Sequence, residues 1–460
     1  MLAELRRRYD HGVGFIVGRA RLDIDRVLVA TLLIFGLAVV VLVANFELGA
    51  DHLTAAFVNV IGRPRIRRAR IVLSSHSDPT ALRRGFRRRR VECRYTGTGD
   101  QGNENRQDTF QSKPSEESRI FRLGNKLNYM TEQTSTQGTV INVRHESTVL
   151  KGNPLGDPHV RDLWVYLPPS YDGTDIRYPT VYCLTGFTGR GKMLLNDSAF
   201  APNLAERMDK LIAARTIKPM IAVMPDCFTY YGGSQYINSP ATGRYEDYLT
   251  QEIVSFVDEN FRTVDDRGSR AVMGKSSGGY GSLIMALRHA DIFGLVCSTA
   301  GDSYFEYCYP MDFAKAFRKI KGDAKKFMRD FWATEKQNKD DHPALNTIGM
   351  AACYSPNGSD FDLPFDLETG EMREDVWRRW LEHDPVRIAE KHVDDLKSLK
   401  LLYIDAGTRD EFNLDIGAKI LSRKLTDLNV PHIHEEFDDG HFNISYRYDR
   451  SLELISAHLD

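Results

Sequence analysis

From about residue 139 onward, apolar runs alternate with amphipathic stretches along the chain. Leu163–Leu167, Thr180–Leu184, Met220–Met224, Ala271–Met273, Leu295–Ser298, Leu401–Asp405 and His432–Phe437 read as strands. Most are continuously apolar rather than alternating, as happens when helices cover both faces of a sheet. Helical stretches lie between them, and Tyr245–Phe261 is a clear case, with Glu246 and Asp247 placed where acids complement a helix dipole. Regular strand–helix alternation predicts one parallel-rich sheet. From 302 to 397 the pattern turns mostly helical, charged and aromatic, too long for a simple crossover. It predicts a helical cap insertion over the carboxyl edge of the sheet, where ligands bind in such folds.

Ahead of this the pattern differs. Val27 to Ala44 is uncharged, apolar and just long enough to cross a bilayer as a helix. It stands too far along the chain for a simple secretory signal. Arginines on both sides (Arg19, Arg21 and Arg26; Arg63, Arg65, Arg67, Arg68 and Arg70) leave its orientation open. Residues 63–129 are first basic, including Arg83–Arg90, and then rich in Gly, Asn, Gln and Ser, a composition that cannot bury a core and predicts a disordered linker. The expected layout is an N-terminal region 1–62 with a candidate transmembrane helix at 27–44, the linker 63–129, and a domain at 130–460. Two readings of the first 129 residues stand side by side. One is a membrane anchor with a polybasic stretch against anionic lipid. The other is an overextended start, with the protein beginning near Met130 and working in the cytoplasm.

Composition changes this picture little. With 460 residues and 42% hydrophobic content the chain can bury a large core. A formal net charge of −2 gives no overall attraction to nucleic acid. Cys93, Cys183, Cys227, Cys297, Cys308 and Cys353 have no C-x-x-C spacing, which argues against a disulfide framework and for a reducing compartment.

The chemistry is concentrated in Gly274-Lys275-Ser276-Ser277-Gly278, which follows a strand and leads into a helix. Strand, G-x-S-x-G, helix is the setting of a nucleophile elbow: a turn so tight that its flanking positions lack side chains, with the serine raised above the sheet edge. A neutral hydroxyl needs a base. His441, in a Gly-His loop after the final strand, is the candidate. The imidazole needs an acid to hold its tautomer. Asp410, just past an apolar strand, is favoured over Glu411 and Asp405, the latter expected to end its strand with a local hydrogen bond. Charge on a tetrahedral intermediate needs fixed donors; the Ser277 N–H and the Phe187 N–H, in the glycine-bearing loop 184–189, are the candidates. The loop 226–236 reaches the same edge. Its aromatics and hydroxyls either line the substrate site, with Asp226, Tyr230, Tyr231 and Gln235 as contacts, or pack the loop. His432 and His434 share a strand face but lack further ligands at matching spacing, so no metal and no cofactor is expected.

These residues resemble the putative esterase family of α/β-hydrolases, which includes S-formylglutathione hydrolases, feruloyl and other carbohydrate esterases, and mycolyltransferases. The matching stretches are Tyr178–Gly189, Met224-Pro225-Asp226, Gly274–Gly281, Asp405–Asp410 and Gly440-His441. The resemblance covers most of 143–460 and implies an α/β-hydrolase fold. It also implies Ser276 as nucleophile, Asp410 as acid, His441 as base, and the Phe187 and Ser277 amides as oxyanion hole. Many members carry histidine where this chain has Thr185, so the hydrogen bonding of that loop should differ. The implied activity is hydrolysis of a carboxylic ester or thioester of a small molecule. An acyltransferase acting on an alcohol or sugar is the nearest alternative, and a non-catalytic, membrane-tethered binding protein is the alternative from another class.

Overall fold

The computed structural model describes residues 137–459 in full and, before them, the backbone of 16–20, 27–34, 37–48, 51–61 and 71–75. The chain divides into two compact units, Met1–Gly124 and Asn125–Asp460. In the first, five strands pair in sequence order into an antiparallel sheet. The expected helix at 27–44 is corrected here: Val27–Ile34 and Leu37–Leu48 are strands, paired antiparallel with Val27 opposite Ala44. Periodicity cannot tell a buried helix from a buried strand in a continuous apolar run. This one is rich in β-branched residues (Val27, Val29, Thr31, Ile34, Val39, Val40, Val41, Val43), whose stiff side chains favour strands. Among the described residues no helix is long and apolar enough to cross a membrane. The linker expected at 63–129 lies outside the described residues, apart from the strand Ile71–Ser75.

The second unit is built on eight strands, β1 (Thr139–Glu146), β2 (Val160–Leu167), β3 (Thr180–Leu184), β4 (Ile221–Pro225), β5 (Arg270–Lys275), β6 (Leu295–Thr299), β7 (Leu401–Gly407) and β8 (Ile433–Phe437). Their order across the sheet is β8-β7-β6-β5-β3-β4-β2-β1. β3 to β8 run parallel, and β1 and β2 are antiparallel additions at one edge. This is the α/β-hydrolase fold. The sequence reading passes over β1, although Ile141, Val143 and His145 alternate with exposed Asn142, Arg144 and Glu146, the period of a half-covered edge strand.

Nine helices used below are α1 (Leu204–Ala213), α2 (Val254–Asn260), α3 (Ser277–Arg288), α4 (Pro310–Ile320), α5 (Ala324–Ala333), α6 (His342–Tyr354), α7 (Glu374–Leu381), α8 (Leu414–Asp427) and α9 (Arg447–His458). Alternate residues of each central strand enter two different cores. Val181, Cys183, Ala271, Met273, Leu295 and Tyr403 pack with α1 and α9 on one face. Tyr182, Leu184, Val272, Val296 and Ile404 pack with α3, α8 and the insertion on the other. Burial on both faces explains why these strands read as unbroken apolar runs. A capping box starts α1: the Asn203 side chain accepts the Glu206 N–H, and Glu206 accepts the Asn203 N–H. The stretch expected as one helix over Tyr245–Phe261 opens with a helical turn, passes through a π-helical segment at Tyr248–Ile253 and ends as α2. Glu246 in its first turn binds Arg288 (3.0 Å) and His289 (2.8 Å) at the end of α3, a structural role.

Register brings the chemistry to one edge. Gly274 of β5 lies opposite Leu184 of β3 and Ser298 of β6, and Gly407 of β7 opposite Phe437 of β8. The loops after β3, β5, β6, β7 and β8 therefore leave the sheet side by side at its carboxyl edge, where ligands bind in open α/β sheets. The connection from β6 to β7 carries α4 to α7, so the helical character expected of 302–397 is present.

Candidate active site

Ser276 stands between the end of β5 and the first residue of α3, at φ 59° and ψ −128°. A non-glycine residue reaches that region only at a cost of about 1–3 kcal/mol, which the surrounding packing must hold in place. The flanking glycines show why. A Cβ on Gly278 would lie 2.3 Å from the Leu184 carbonyl oxygen, and one on Gly274 would lie 2.4 Å from the backbone of Gly278. Strand, turn and helix touch with no room for a methyl group. Gly278→Ala is expected to destabilise the folded unit by about 3 kcal/mol or more, since the clash is with backbone that cannot yield cheaply. Thermal unfolding checks it, and an unchanged melting temperature would mean that the elbow relaxes easily.

The three distant side chains named from the sequence meet here. His441 Nε2 lies 3.1 Å from Ser276 Oγ, and His441 Nδ1 lies 2.8 Å from Asp410 Oδ2. Asp410 and His441 are buried, and Asp410 Oδ1 accepts the Phe412 N–H at 2.9 Å. Phe412 and Phe442 pack edge-on against the imidazole, with centroids at 4.8 and 5.4 Å. The rival carboxylates are engaged elsewhere. Glu411 Oε2 accepts the backbone N–H of His441 at 2.6 Å and so fixes the loop rather than the ring. Asp405, fully buried, binds Arg447 Nε at 2.6 Å, and burial raises its pKa. The local hydrogen bond expected of Asp405 is thus a long-range ion pair.

The glycine-bearing loop after β3 approaches Ser276 closely. A Cβ on Gly186 would lie 3.3 Å from both Ser276 Cβ and the Lys275 carbonyl oxygen. Among the described residues, neither the Phe187 N–H nor the Ser277 N–H is given to a protein acceptor. The latter is one of the orphan donors that begin any helix. Thr185 turns out to be part of a clamp: the Tyr236 hydroxyl donates to the Thr185 carbonyl at 2.7 Å and lies 3.3 Å from its Oγ1. The Thr188 N–H donates to the Gly232 carbonyl at 2.8 Å, and the Phe187 ring fills the space above Gly232 and Gly233.

A cavity of about 290 Å³ opens over this edge. Ser276, Ser277, Phe187 and His441 line it, with Lys275 and Asp302 from the sheet side and Tyr309, His342 and Asn346 from the insertion. Burial lowers the pKa of Lys275, opposed by Asp410, Glu411 and Asp302, and burial raises that of Asp302. A larger cavity, about 410 Å³, lies within the insertion between residues 322 and 373 and is lined by none of Ser276, Asp410 and His441.

The four expected substrate contacts are corrected: none lines the cavity around Ser276. Asp226 is buried between Arg161 (3.9 Å) and Arg190 (3.7 Å). The Tyr230 ring packs on Trp332, and its N–H binds Asp157. Tyr231 belongs to the core. Gln235 donates to Asp302 Oδ2 at 3.0 Å and so touches the cavity only through that residue. The loop 226–236 braces the loop after β3 from behind, because its side chains turn into the core. Asp302 was missed by the sequence reading, yet it stands just past the apolar strand β6 as Asp410 stands just past β7. His342 and Asn346 come from the insertion, and no local pattern marks them.

The described cysteines, Cys183, Cys227, Cys297, Cys308 and Cys353, are free and buried; Cys93 lies outside the described residues. His432 binds Ser422 at 2.8 Å, and among the described residues no group of three or more His, Cys, Asp or Glu side chains is arranged to hold a metal.

Parts of the chain are similar to known proteins. An endo-1,4-beta-xylanase/feruloyl esterase from Xylanibacter ruminicola is 32% identical over 144 residues, 30% of this chain and 19% of that protein. The uncharacterized protein YbbA of Bacillus subtilis is 27% identical over 157 residues, 32% of this chain and 58% of that one. The chain thus spans about a fifth and somewhat over half of the lengths of these two relatives. A solved ferulic acid esterase superposes with a TM-score of 0.49 at 20% identity, covering 70% of this chain and 99% of that one. The family model described as "Putative esterase" matches residues 158–447, more than half of the chain, and the protein belongs to that family.

Proposed function

We propose that the protein is a serine hydrolase of carboxylic esters that works through an acyl-enzyme. The observation that carries this is the unbroken relay from Asp410 through His441 to Ser276, ending at a strained elbow that opens into a cavity beside two backbone donors. With Nδ1–H donated to the Asp410 carboxylate, Nε2 is left to accept the Ser276 hydroxyl proton. As that proton moves, Oγ bonds to the ester carbonyl carbon, and the carbonyl oxygen takes up the electron pair. The N–H groups of Phe187 and Ser277 stabilise this oxyanion, an interaction stronger in the transition state than with the neutral carbonyl. The imidazolium, steadied by Asp410, returns the proton to the departing alkoxide, leaving the acyl group on Oγ. A water molecule gives a proton to Nε2 as its oxygen bonds to the acyl carbon, and the imidazolium then protonates Oγ as the acyl–Oγ bond breaks, releasing the acid and the free serine.

A fluorophosphonate probe tests this directly. It should phosphonylate the intact protein at a single peptide containing Ser276, and prior labelling should abolish turnover of p-nitrophenyl acetate. Protein that is folded by circular dichroism yet unlabelled and inert toward short esters would defeat the proposal and favour a binding role.

A further inference from the structure

The closed end of the cavity holds a carboxylate for which the reaction has no use. Asp302 is only 6% exposed, lines the cavity, and leaves the sheet edge two residues beyond the strained Ala300 (φ 45°). Its two oxygens are treated differently. Oδ2 accepts from Gln235 Nε2 at 3.0 Å and from the Tyr309 hydroxyl at 2.9 Å. Oδ1 receives no protein donor among the described residues. Both of those donors are themselves tied to the Tyr354 hydroxyl, at 2.9 and 3.1 Å. The loop is pinned from the insertion as well, where the buried Asp384 accepts the N–H groups of Tyr304 and Phe305 at 3.0 Å each. The carboxylate is therefore held rigid, with one acceptor left over that a bound molecule can meet.

The shape of the cavity says which part of an ester reaches it. Phe442 (55% exposed) and Met193 (47% exposed) stand at the open mouth, whereas Asp302, Tyr309 and Cys308 form the buried end. The alcohol must leave after the first step, so it belongs at the mouth, and the acyl group belongs at the closed end. Charge narrows the chemistry. Lys275 lines the same cavity, and its ammonium, near the Phe442 ring, feels the Asp302 charge and disfavours a second cation there. A neutral hydroxyl can satisfy Oδ1 without that repulsion.

We propose that Asp302 determines acyl specificity by accepting a hydrogen bond from a hydroxyl on a short acyl chain. This rests on the esterase reading above and names the substrate class of the same cavity. The test compares p-nitrophenyl butyrate with its 2- and 3-hydroxy and 3-methoxy derivatives, each kcat/KM divided by the alkaline hydrolysis rate of that ester. The wild-type protein should prefer one hydroxy ester over butyrate by about tenfold or more, the worth of a well-placed hydrogen bond. Asp302→Asn keeps an oxygen for Gln235 and Tyr309 but turns the free acceptor into a donor. The hydroxy-to-methoxy ratio should then fall by about tenfold, because an ether oxygen can only accept. Fluorophosphonate labelling of Ser276 in both proteins separates the two levels of failure. Unlabelled wild-type protein would bring down the esterase reading and this inference with it. Normal labelling with no preference for a hydroxy ester would overturn the role of Asp302 alone, and that wild-type measurement stands even if Asp302→Asn does not fold. An unchanged hydroxy-to-methoxy ratio in a folded, labelled Asp302→Asn protein would overturn it too.

Discussion

Ser276→Ala is expected to lower kcat on p-nitrophenyl acetate by roughly 10⁶-fold, the scale seen when a triad serine is lost, while leaving a small residual rate over water from the oxyanion donors. The folded state should change little. Alanine meets the same backbone strain at φ 59°, and among the described residues the only side-chain hydrogen bond removed is the 3.1 Å contact to His441 Nε2. The imidazole keeps Asp410 at Nδ1 and its two phenylalanine neighbours. A melting temperature near that of the wild type, with labelling by fluorophosphonate gone, is therefore the expected pair of results. Near-normal turnover in this variant, with the probe still reacting, would place the nucleophile elsewhere and remove the basis of the mechanism.

Asp410→Asn should follow, at roughly 10⁴-fold in kcat, the cost of a wrong imidazole tautomer. The local hydrogen bonds force that outcome. One side-chain oxygen must go on accepting the Phe412 N–H, so the amide nitrogen of the asparagine is turned toward His441 Nδ1. Nδ1 then has to accept, Nε2 carries the proton, and the ring can no longer take one from Ser276. The neighbouring carboxylates should behave differently. Glu411→Gln is expected to cost far less, because Glu411 meets the His441 backbone and not its ring. Asp405→Asn removes a fully buried carboxylate from its pair with the half-buried Arg447, which keeps Glu435, and should appear mainly as lost stability, on the order of 3 kcal/mol or less. Steady-state kinetics and thermal unfolding on the three variants separate the roles. Asp410→Asn retaining most of the wild-type kcat would assign the acid to one of the other two.

The readings that held and those that failed divide along a physical line. Gly274–Gly278 was legible because a strand, a glycine-flanked serine and a helix are all local, and so is the steric demand that makes those glycines necessary. The central strands were legible because burial on both faces leaves an unbroken apolar run. Over 27–44 the same kind of run misled, since length and hydropathy fit a spanning helix while the β-branched residues pointed to the strands that are found. The loop 226–236 misled differently. Its composition suits a substrate site, and only the direction of its side chains, into the core and against the loop after β3, shows that it packs the fold instead.

What the chain's residues determined unaided was the type of fold, the family resemblance and the glycine-flanked elbow at Ser276, because each is written in short-range pattern and motif. Which of three nearby carboxylates faces the imidazole, which strand-end acid enters the cavity, and which helix of the insertion forms its wall were decided by tertiary packing. Those choices depend on strand register and on the angle at which segments more than a hundred residues apart meet, and no local sequence pattern records either.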